Sequence, residues 1–199
     1  MSFRMRYEEM KEELQGRIKG TRFQHSLGVA AAAVKLAQRF GVNTEQARVA
    51  GLLHDCAREY SNETMAAEAE QRGIPIGDIE RAMPLLLHSA IGARRVSEIY
   101  GVDDPAVAQA ISRHTVGGPQ MTKLDKIIWF ADMIEPGRDY PEVVHLRQLA
   151  ADAGLDEMVL AGLSASIQFV VAKGHLIHPD TVLARNEILL KKISANRPA

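Results

Sequence analysis

The chain has 199 residues, 46% of them hydrophobic, which suits one large globular domain or two small ones. Its 24 lysines and arginines nearly balance 25 aspartates and glutamates, so the overall charge excludes a general attraction to nucleic acid or to an anionic membrane. The single cysteine, Cys56, cannot form an internal disulfide, and this favours a reducing compartment. Any site that binds an anion must therefore be local.

The N-terminal segment, residues 1–20, is charged throughout and lacks the apolar core and small-residue cleavage site of a secretory signal. The most apolar stretch of the N-terminal half, residues 27–34, is far shorter than the roughly 20 residues of a membrane-spanning helix. We therefore expect a cytoplasmic protein with neither a membrane nor a nucleic acid as partner.

Helix patterns recur along the chain. Hydrophobic residues at intervals of three and four predict a helix over 21–40, and Gly41 follows at its expected end. Asn43 and Gln46 have the spacing of a capping pair for a second helix over 45–57. Prolines and capping residues mark further helix starts. The remaining predicted helices cover residues 85–100, 106–114, 123–134, 142–153, 156–173 and 180–193.

Strand patterns are nearly absent, since no run alternates apolar and polar residues between hairpin turns. The connecting segments at 73–84, 115–121 and 135–141 are short, and the chain has no repeat of fixed period. The sequence therefore predicts an all-α fold, organised as a single-domain helical bundle over residues 1–199.

Four polar residues lie in strongly apolar surroundings. His54 and Asp55 end the stretch AGLLHD, Asp132 lies inside IIWFADMI, and His25 shares a helix face with apolar residues. Because burying an unpaired carboxylate is costly, a cation should compensate these groups. Two imidazoles and two carboxylates suit iron, manganese or a similar divalent ion. We expect a metal site built by three helices, with His54 and Asp55 about 100° apart on one of them.

These residues also have simpler interpretations. His25 alone is compatible with an ordinary core histidine, and Asp132 alone with an internal cap or an ion-pair partner. Two further histidines, His88 in LLLHSAIGA and His114 in AISRHTVGG, are candidates for a second metal ion, for the substrate phosphate or for hydrogen bonds within the core.

Longer motifs carry a resemblance to a known family. The chain contains, in this order, HSLGVAAAAVKLAQRFGV, AGLLHDCARE, LLHSAIGARRV, ISRHTVGGPQMTKLDKIIWFADMIEPGRDYPEV and HPDTVLARN. The pattern H…HD…D resembles the HD-domain metal-dependent phosphohydrolases, and the longer motifs resemble the YqeK-type family among them. The resemblance spans residues 18–190, and HTVGGPQMTKLDK followed by ADMIEPGRD is its most specific part.

This resemblance implies an all-α hydrolase of the symmetrical bis(5'-nucleosyl)-tetraphosphatase type, which splits diadenosine tetraphosphate into two ADP molecules and uses iron. It implies an HD core over residues 18–140, with C-terminal helices that complete the nucleotide site. It leaves open whether one or two metal ions bind, whether manganese or another divalent ion substitutes for iron, and whether the chain forms a homodimer.

By the family pattern, four residues ligate the metal and two others face the phosphates. The ligands are His25, His54, Asp55 and Asp132, and the phosphate-facing residues are His88 and His114. One residue departs from the pattern, because Arg58 stands where most members have a lysine, three residues after the HD aspartate. A guanidinium keeps the positive charge but changes the geometry from a point charge to a fork.

The chemistry of phosphate hydrolysis suggests further roles. Asp55 orients the attacking hydroxide, while His88 and His114 stabilise charge on the phosphate or protonate the departing ADP oxygen. A tetraphosphate also needs cations and donors beyond the metal. Candidates for substrate binding are Arg22, Arg58, Thr115, Arg138, His175 and His178. Arg22 and Arg138 are also compatible with solvated surface arginines, and Thr115 with a plain loop. Near His175 and His178, Asp180 or Thr181 is also compatible with a simple cap of the last helix.

Two other functions fit the same motifs. An HD phosphohydrolase that acts on another nucleotide or nucleoside polyphosphate needs the same metal ligands. A non-enzymatic, nucleotide-binding helical domain needs these residues only as a structural site. The metal content of the purified protein separates this last function from a hydrolase.

Overall fold

The computed structural model describes residues 3–195 of the chain. In this range, the regular secondary structure consists of α-helices and two short 3-10 turns, Cys56–Glu59 and Pro84–Leu86. The all-α prediction is therefore confirmed. The helices are α1 Tyr7–Arg17, α2 Gly20–Phe40, α3 Thr44–Leu53, α4 Asn62–Gln71, α5 Asp78–Ala82, α6 Leu87–Tyr100, α7 Pro105–Arg113, α8 Lys123–Ile134, α9 Val143–Asp152, α10 Leu155–Ala172 and α11 Pro179–Ala195.

Helix starts follow the capping residues in the sequence. The side chain of Asn43 accepts hydrogen bonds from the backbone N–H groups of Glu45 and Gln46, at 2.9 and 3.1 Å. Thr122 and Asp125 form a reciprocal capping box at the start of α8. Side-chain oxygens thus satisfy the free N–H groups at these ends, and the predicted starts agree with the structure to within two residues.

Helix α8 lies at the centre of the bundle. It packs against α2, α3, α7, α9 and α10. Gly162 allows the close approach of α10, because a Cβ there would lie 2.8 Å from the Trp129 ring. Gly51 likewise allows α3 to approach α2 closely, because a Cβ at residue 51 would lie 2.8 Å from the backbone of Ala30 in α2. Three helices that carry predicted site residues thereby come within side-chain reach of one another.

Helix α3 ends earlier than the sequence predicts. It stops at Leu53 instead of continuing to Ala57, and at Asp55 the backbone has φ −101° and ψ 16°, outside the helical region. The expectation that His54 and Asp55 lie about 100° apart on one continuous helix is therefore wrong. The break leaves both side chains free to face the same point in the bundle.

The prediction omitted three helices, α1, α4 and α5. Helix α1 buries only Met10 and Leu14 among charged residues, so its apolar pattern is weak. Segment 73–84, expected as a plain connection, contains the short helix α5. Its first turn is stabilised by Glu80, which accepts a hydrogen bond from the Gly77 N–H at 2.9 Å.

Among residues 3–195, α10 is the one helix whose length and composition would allow it to cross a membrane. Core helices of soluble proteins meet the same criterion, so a single such helix is weak evidence for membrane insertion. In this fold α10 packs against α8, α9 and α11.

Candidate metal centre

The four residues predicted as ligands meet in the middle of the bundle. His25 comes from α2, His54 and Asp55 follow α3, and Asp132 lies in the last turn of α8. The Nε2 atom of His25 lies 3.2 Å from Nε2 of His54 and 3.0 Å from Oδ1 of Asp132. Oδ2 of Asp55 lies 3.5 Å from Nε2 of His54 and 3.8 Å from Nε2 of His25.

This spacing fits one divalent ion. Ligand atoms that lie about 2.0–2.2 Å from a common ion are roughly 3 Å from their neighbours in its coordination shell. The measured separations among these four residues run from 3.0 to 3.9 Å. The site is also well shielded from solvent, since the His54 side chain is fully buried and that of Asp55 is 5% exposed.

A second group lies against the first and shares Asp55 with it. Whereas Oδ2 of Asp55 faces His25 and His54, its Oδ1 lies 3.1 Å from Nε2 of His88 and 3.6 Å from Nε2 of His114. These two Nε2 atoms are 3.0 Å apart, and the Thr115 hydroxyl lies 3.1 Å from Nε2 of His114. Asp55 thus joins the two ligand groups through its two oxygens.

All four histidines are held in the same manner. In each ring Nδ1 faces a hydrogen-bond acceptor outside the cluster, so Nδ1 carries the proton and Nε2 presents a lone pair to the centre when the ring is neutral. For three of them the acceptor is a carbonyl three residues earlier. The Nδ1 partners are Glu135 for His25, Gly51 for His54, Leu85 for His88 and Ile111 for His114.

The protonation of these histidine rings indicates whether the cluster fits a metal ion. With Nδ1 as the donor, neither neutral ring of the close pair His88 and His114 has a proton to place between the two Nε2 atoms. Facing lone pairs at this distance, beside the carboxylates of Asp55 and Asp132, are compensated by a cation. The donor set therefore fits divalent metal ions.

Burial and neighbouring charges set the protonation of the cluster. Burial lowers the pKa of His54 to about 4, and it also lowers the pKa of His88, so both rings are neutral near pH 7. Burial opposes charge on His25 as well, but hydrogen bonds to Asp132 and Glu135 outweigh it and raise its pKa. Against the effect of burial, the surrounding histidines hold the pKa of Asp55 and of Asp132 below the ordinary value.

Three predicted arginines surround the cluster. Nη1 of Arg22 donates to Oδ2 of Asp55 at 2.8 Å. Arg138 donates from Nη2 to the Asp132 carboxylate and from Nε to the Asp132 carbonyl, the latter at 2.8 Å. Arg58 is half-buried near Asp55, and its guanidinium has no hydrogen-bond or ion-pair partner within residues 3–195.

The structure places the last two predicted substrate residues elsewhere. His178 lies 2.8 Å from Oε1 of Glu80, and its Nδ1 accepts a hydrogen bond from the Asp180 N–H at the start of α11. The helix is thus capped by His178 and not by the side chain of Asp180 or Thr181. His175 is exposed in the loop before α11. Contact of these histidines with substrate stays a prediction.

Sequence reasoning missed Glu135. Its side chain is buried, its Oε1 lies 3.1 Å from Nδ1 of His25, and its Oε2 accepts a hydrogen bond from the Gly137 N–H at 2.6 Å. Arg147 in α9 holds the same loop by donating to the carbonyls of Ile134 and Glu135. The available clue was a carboxylate one helical turn after Asp132, directly before a Pro-Gly turn.

The chain is similar to known proteins over most of its length. Residues 22–137 match the HD domain family. A Halalkalibacterium halodurans protein named symmetrical bis(5'-nucleosyl)-tetraphosphatase is 36% identical over 86% of this chain and 90% of its own length. The Bacillus subtilis protein of the same name is 34% identical over 83% of this chain and 88% of its own.

A solved structure agrees with these relatives. A Clostridium acetobutylicum protein, described as a "predicted HD superfamily hydrolase involved in NAD metabolism", superposes with a TM-score of 0.89 at 37% identity, covering 94% of this chain and 98% of its own. The family match and the close relatives lead to the same conclusion: this chain belongs to the HD-domain family and, within it, to the symmetrical bis(5'-nucleosyl)-tetraphosphatases.

Proposed function

We propose that this protein hydrolyses diadenosine tetraphosphate and related dinucleoside tetraphosphates at the central anhydride, releasing two ADP molecules. The observation that carries the proposal is the convergence of four histidine Nε2 atoms on two aspartates, with every Nδ1 held from outside. Relatives named for this activity align with 83–86% of the chain, which also supports the proposal.

The ligand groups support a centre for two metal ions. One ion would be held by His25, His54 and Asp55 together with Asp132, whose Oδ1 lies 3.0 Å from Nε2 of His25, and the second by Asp55, His88 and His114. Mixed imidazole and carboxylate ligands suit iron, and manganese or another divalent ion can substitute for it. Such an ion polarises a phosphoryl oxygen and lowers the pKa of water, which provides a nucleophile near neutral pH.

The reaction balances without another reactant. A water oxygen forms a bond to one of the two central phosphorus atoms, and the bond from that phosphorus to the bridging oxygen breaks. The bridging oxygen leaves with the other ADP. One proton of the water is released as the new bond forms, and the other stays on the new phosphate oxygen until that oxygen ionises. Asp55 lies between the two ligand groups, where a carboxylate oxygen orients the attacking water by accepting its hydrogen bond.

Cations of the chain hold the polyphosphate. Arg58 is free to bind a phosphate oxygen, and Arg22 and Arg138 add positive charge beside the two aspartates. The Thr115 hydroxyl supplies a neutral donor near the second ligand group. Because burial keeps His88 neutral with its Nδ1 proton committed to a carbonyl, its Nε2 is suited to ligation and not to proton donation.

Under this proposal the reaction takes place in the cytoplasm, a reducing compartment that suits the single cysteine, Cys56, which is buried and free. A homodimer is supported by exposed apolar side chains on α10 and α11, among them Val171, Leu183 and Leu190. Analytical ultracentrifugation tests this assembly. A sedimentation coefficient of a monomer at micromolar concentration contradicts it.

Product analysis tests the proposed activity. Iron-loaded protein, prepared without oxygen, is incubated with diadenosine tetraphosphate, and the nucleotides are separated by ion exchange. We expect ADP as the sole product, and its loss in His54→Ala but not in a control with the exposed His145→Ala. ATP plus AMP would contradict symmetrical cleavage. No product from metal-loaded protein would favour another nucleotide as substrate or a binding function.

A further inference from the structure

A cavity of about 640 Å³ adjoins the metal centre without being part of it. It lies between the segment that follows Asp132 and the middle of α10. Its volume is within the range of small-molecule sites, about 300–1,000 Å³. The residues that line it include Met133, Arg138, Tyr140, Glu142, Ser166 and Phe169.

Arg138 connects this cavity to the cluster. Arg138 donates to the Asp132 carboxylate and also lines the cavity. A phosphate group bound at the metal centre would therefore lie near the part of the cavity that Arg138 lines. The rest of a ligand that is bound through this phosphate would then contact the walls of the cavity.

The walls suit an aromatic base. Phe169 on α10 is 60% exposed, and Nζ of Lys173 lies 5.8 Å from the centroid of its ring. Tyr140, which also lines the cavity, is held by the hydrogen bond that its hydroxyl donates to the Met133 carbonyl at 2.8 Å. Aromatic rings that line a cavity offer stacking surfaces to a planar ligand.

The charged residues that line the cavity favour one orientation of a bound nucleotide. Arg138, which contacts Asp132, brings a positive charge to the lining, and the exposed Glu142 brings a negative one. A carboxylate repels phosphate but accepts hydrogen bonds from sugar hydroxyls or from an exocyclic amino group. A nucleotide thus has one favourable orientation, with its phosphates toward Arg138 and its nucleoside in the cavity.

We infer that this cavity binds one nucleoside of the dinucleotide substrate, with Phe169 and Tyr140 stacking on the base. The inference rests on the proposed function for the identity of the substrate. It assigns α10 a direct part in recognition, beyond the HD core, and makes Phe169 a determinant of nucleotide binding.

Calorimetric titration with two probes tests the inference. Manganese-loaded protein is titrated with ADP and separately with inorganic pyrophosphate, which shares the phosphates but lacks the nucleoside. The variants are Phe169→Ala, Ser166→Trp, which fills the cavity, and Gln168→Ala as an exposed control on the same helix. We expect the Kd for ADP to rise about tenfold or more in the first two variants. The Kd for pyrophosphate should change less than twofold throughout.

Several results would overturn the inference. An ADP affinity that is undetectable in the wild type, or that is unchanged in both cavity variants, excludes a nucleoside in the cavity. An equal loss of pyrophosphate affinity assigns the effect to the metal centre. A changed sedimentation coefficient of Phe169→Ala at constant ADP affinity assigns this ring to contact between copies. If ADP binding depends on Phe169 but the wild type cleaves no dinucleotide, the proposed function fails and the cavity assignment stands.

Discussion

The carboxylate of Glu135 lies 3.1 Å from Nδ1 of His25, on the side of the ring opposite the Nε2 that faces Asp132. The imidazole therefore lies between two carboxylates, Asp132 in the last turn of α8 and Glu135 directly after this helix. Glu135 fixes which nitrogen carries the proton, and it directs the lone pair of the other toward the metal centre.

Replacing Glu135 by glutamine should weaken metal binding. The amide keeps the size of the side chain but loses the charge that orients His25 and increases its basicity, and such partners typically contribute 10- to 100-fold in metal affinity. Competition with a fluorescent chelator for Mn²⁺ measures the effect. Glu157→Gln, an exposed change on α10, is the control. Equal affinities of the two variants would remove Glu135 from the support of the site.

Gly28→Ala should also disturb the contact between Glu135 and His25. A Cβ at residue 28 would lie 2.5 Å from Oε2 of Glu135, so the carboxylate must move. We expect a loss of about 1–3 kcal/mol in the free energy of unfolding, together with weaker Mn²⁺ binding. Gly16→Ala, where a Cβ meets nothing within 4 Å, should instead stabilise the protein by about 0.5 kcal/mol. Chemical denaturation of both variants checks the difference in sign.

Asp132→Ala should abolish both turnover and metal retention. The substitution removes a ligand atom that lies 3.0 Å from Nε2 of His25, and it leaves the Arg138 guanidinium without its carboxylate partner. Metal content by mass spectrometry and the rate of ADP formation are the measurements. The exposed Asp152→Ala is the control. Wild-type metal content and rate in Asp132→Ala would exclude this residue from the centre.

Arg58 should contribute to substrate binding through its charge. Its guanidinium has no hydrogen-bond or ion-pair partner within residues 3–195, so its removal breaks no such contact there. Loss of one charge-assisted hydrogen bond, about 1.5–3 kcal/mol, predicts a 10- to 150-fold lower kcat/KM for Arg58→Ala. Arg58→Lys should recover most of this loss, and the exposed Arg94→Ala should change little. Normal kinetics in Arg58→Ala would place the phosphates elsewhere.

Metal affinity should fall as pH decreases through neutrality. A protonated imidazole cannot act as a ligand, and His25 is the histidine whose pKa lies above the ordinary value of 6.5 in the metal-free protein. His54, with a pKa near 4, competes with protons only at much lower pH. Affinity for Mn²⁺ should therefore rise with pH until His25 is deprotonated and then level off. An affinity that is constant from pH 5.5 to 8 would contradict the raised pKa of His25.

Most of the helical fold follows from local sequence patterns. Capping by Asn43 and Thr122 and the left-handed Gly41, with φ 65°, mark helix ends that depend on a few neighbouring residues. Helices such as α1 were missed because their apolar residues are sparse and their stability comes from packing against distant helices.

The sequence by itself determined the family and the ligand types, because the H…HD…D pattern and its long motifs are local and specific. Only the tertiary structure decided how these ligands are used. The break after His54, the bridging position of Asp55 between two histidine pairs and the contact of Glu135 with His25 depend on helices that are distant in the chain. Such contacts arise from packing, which joins residues without regard to their separation in sequence.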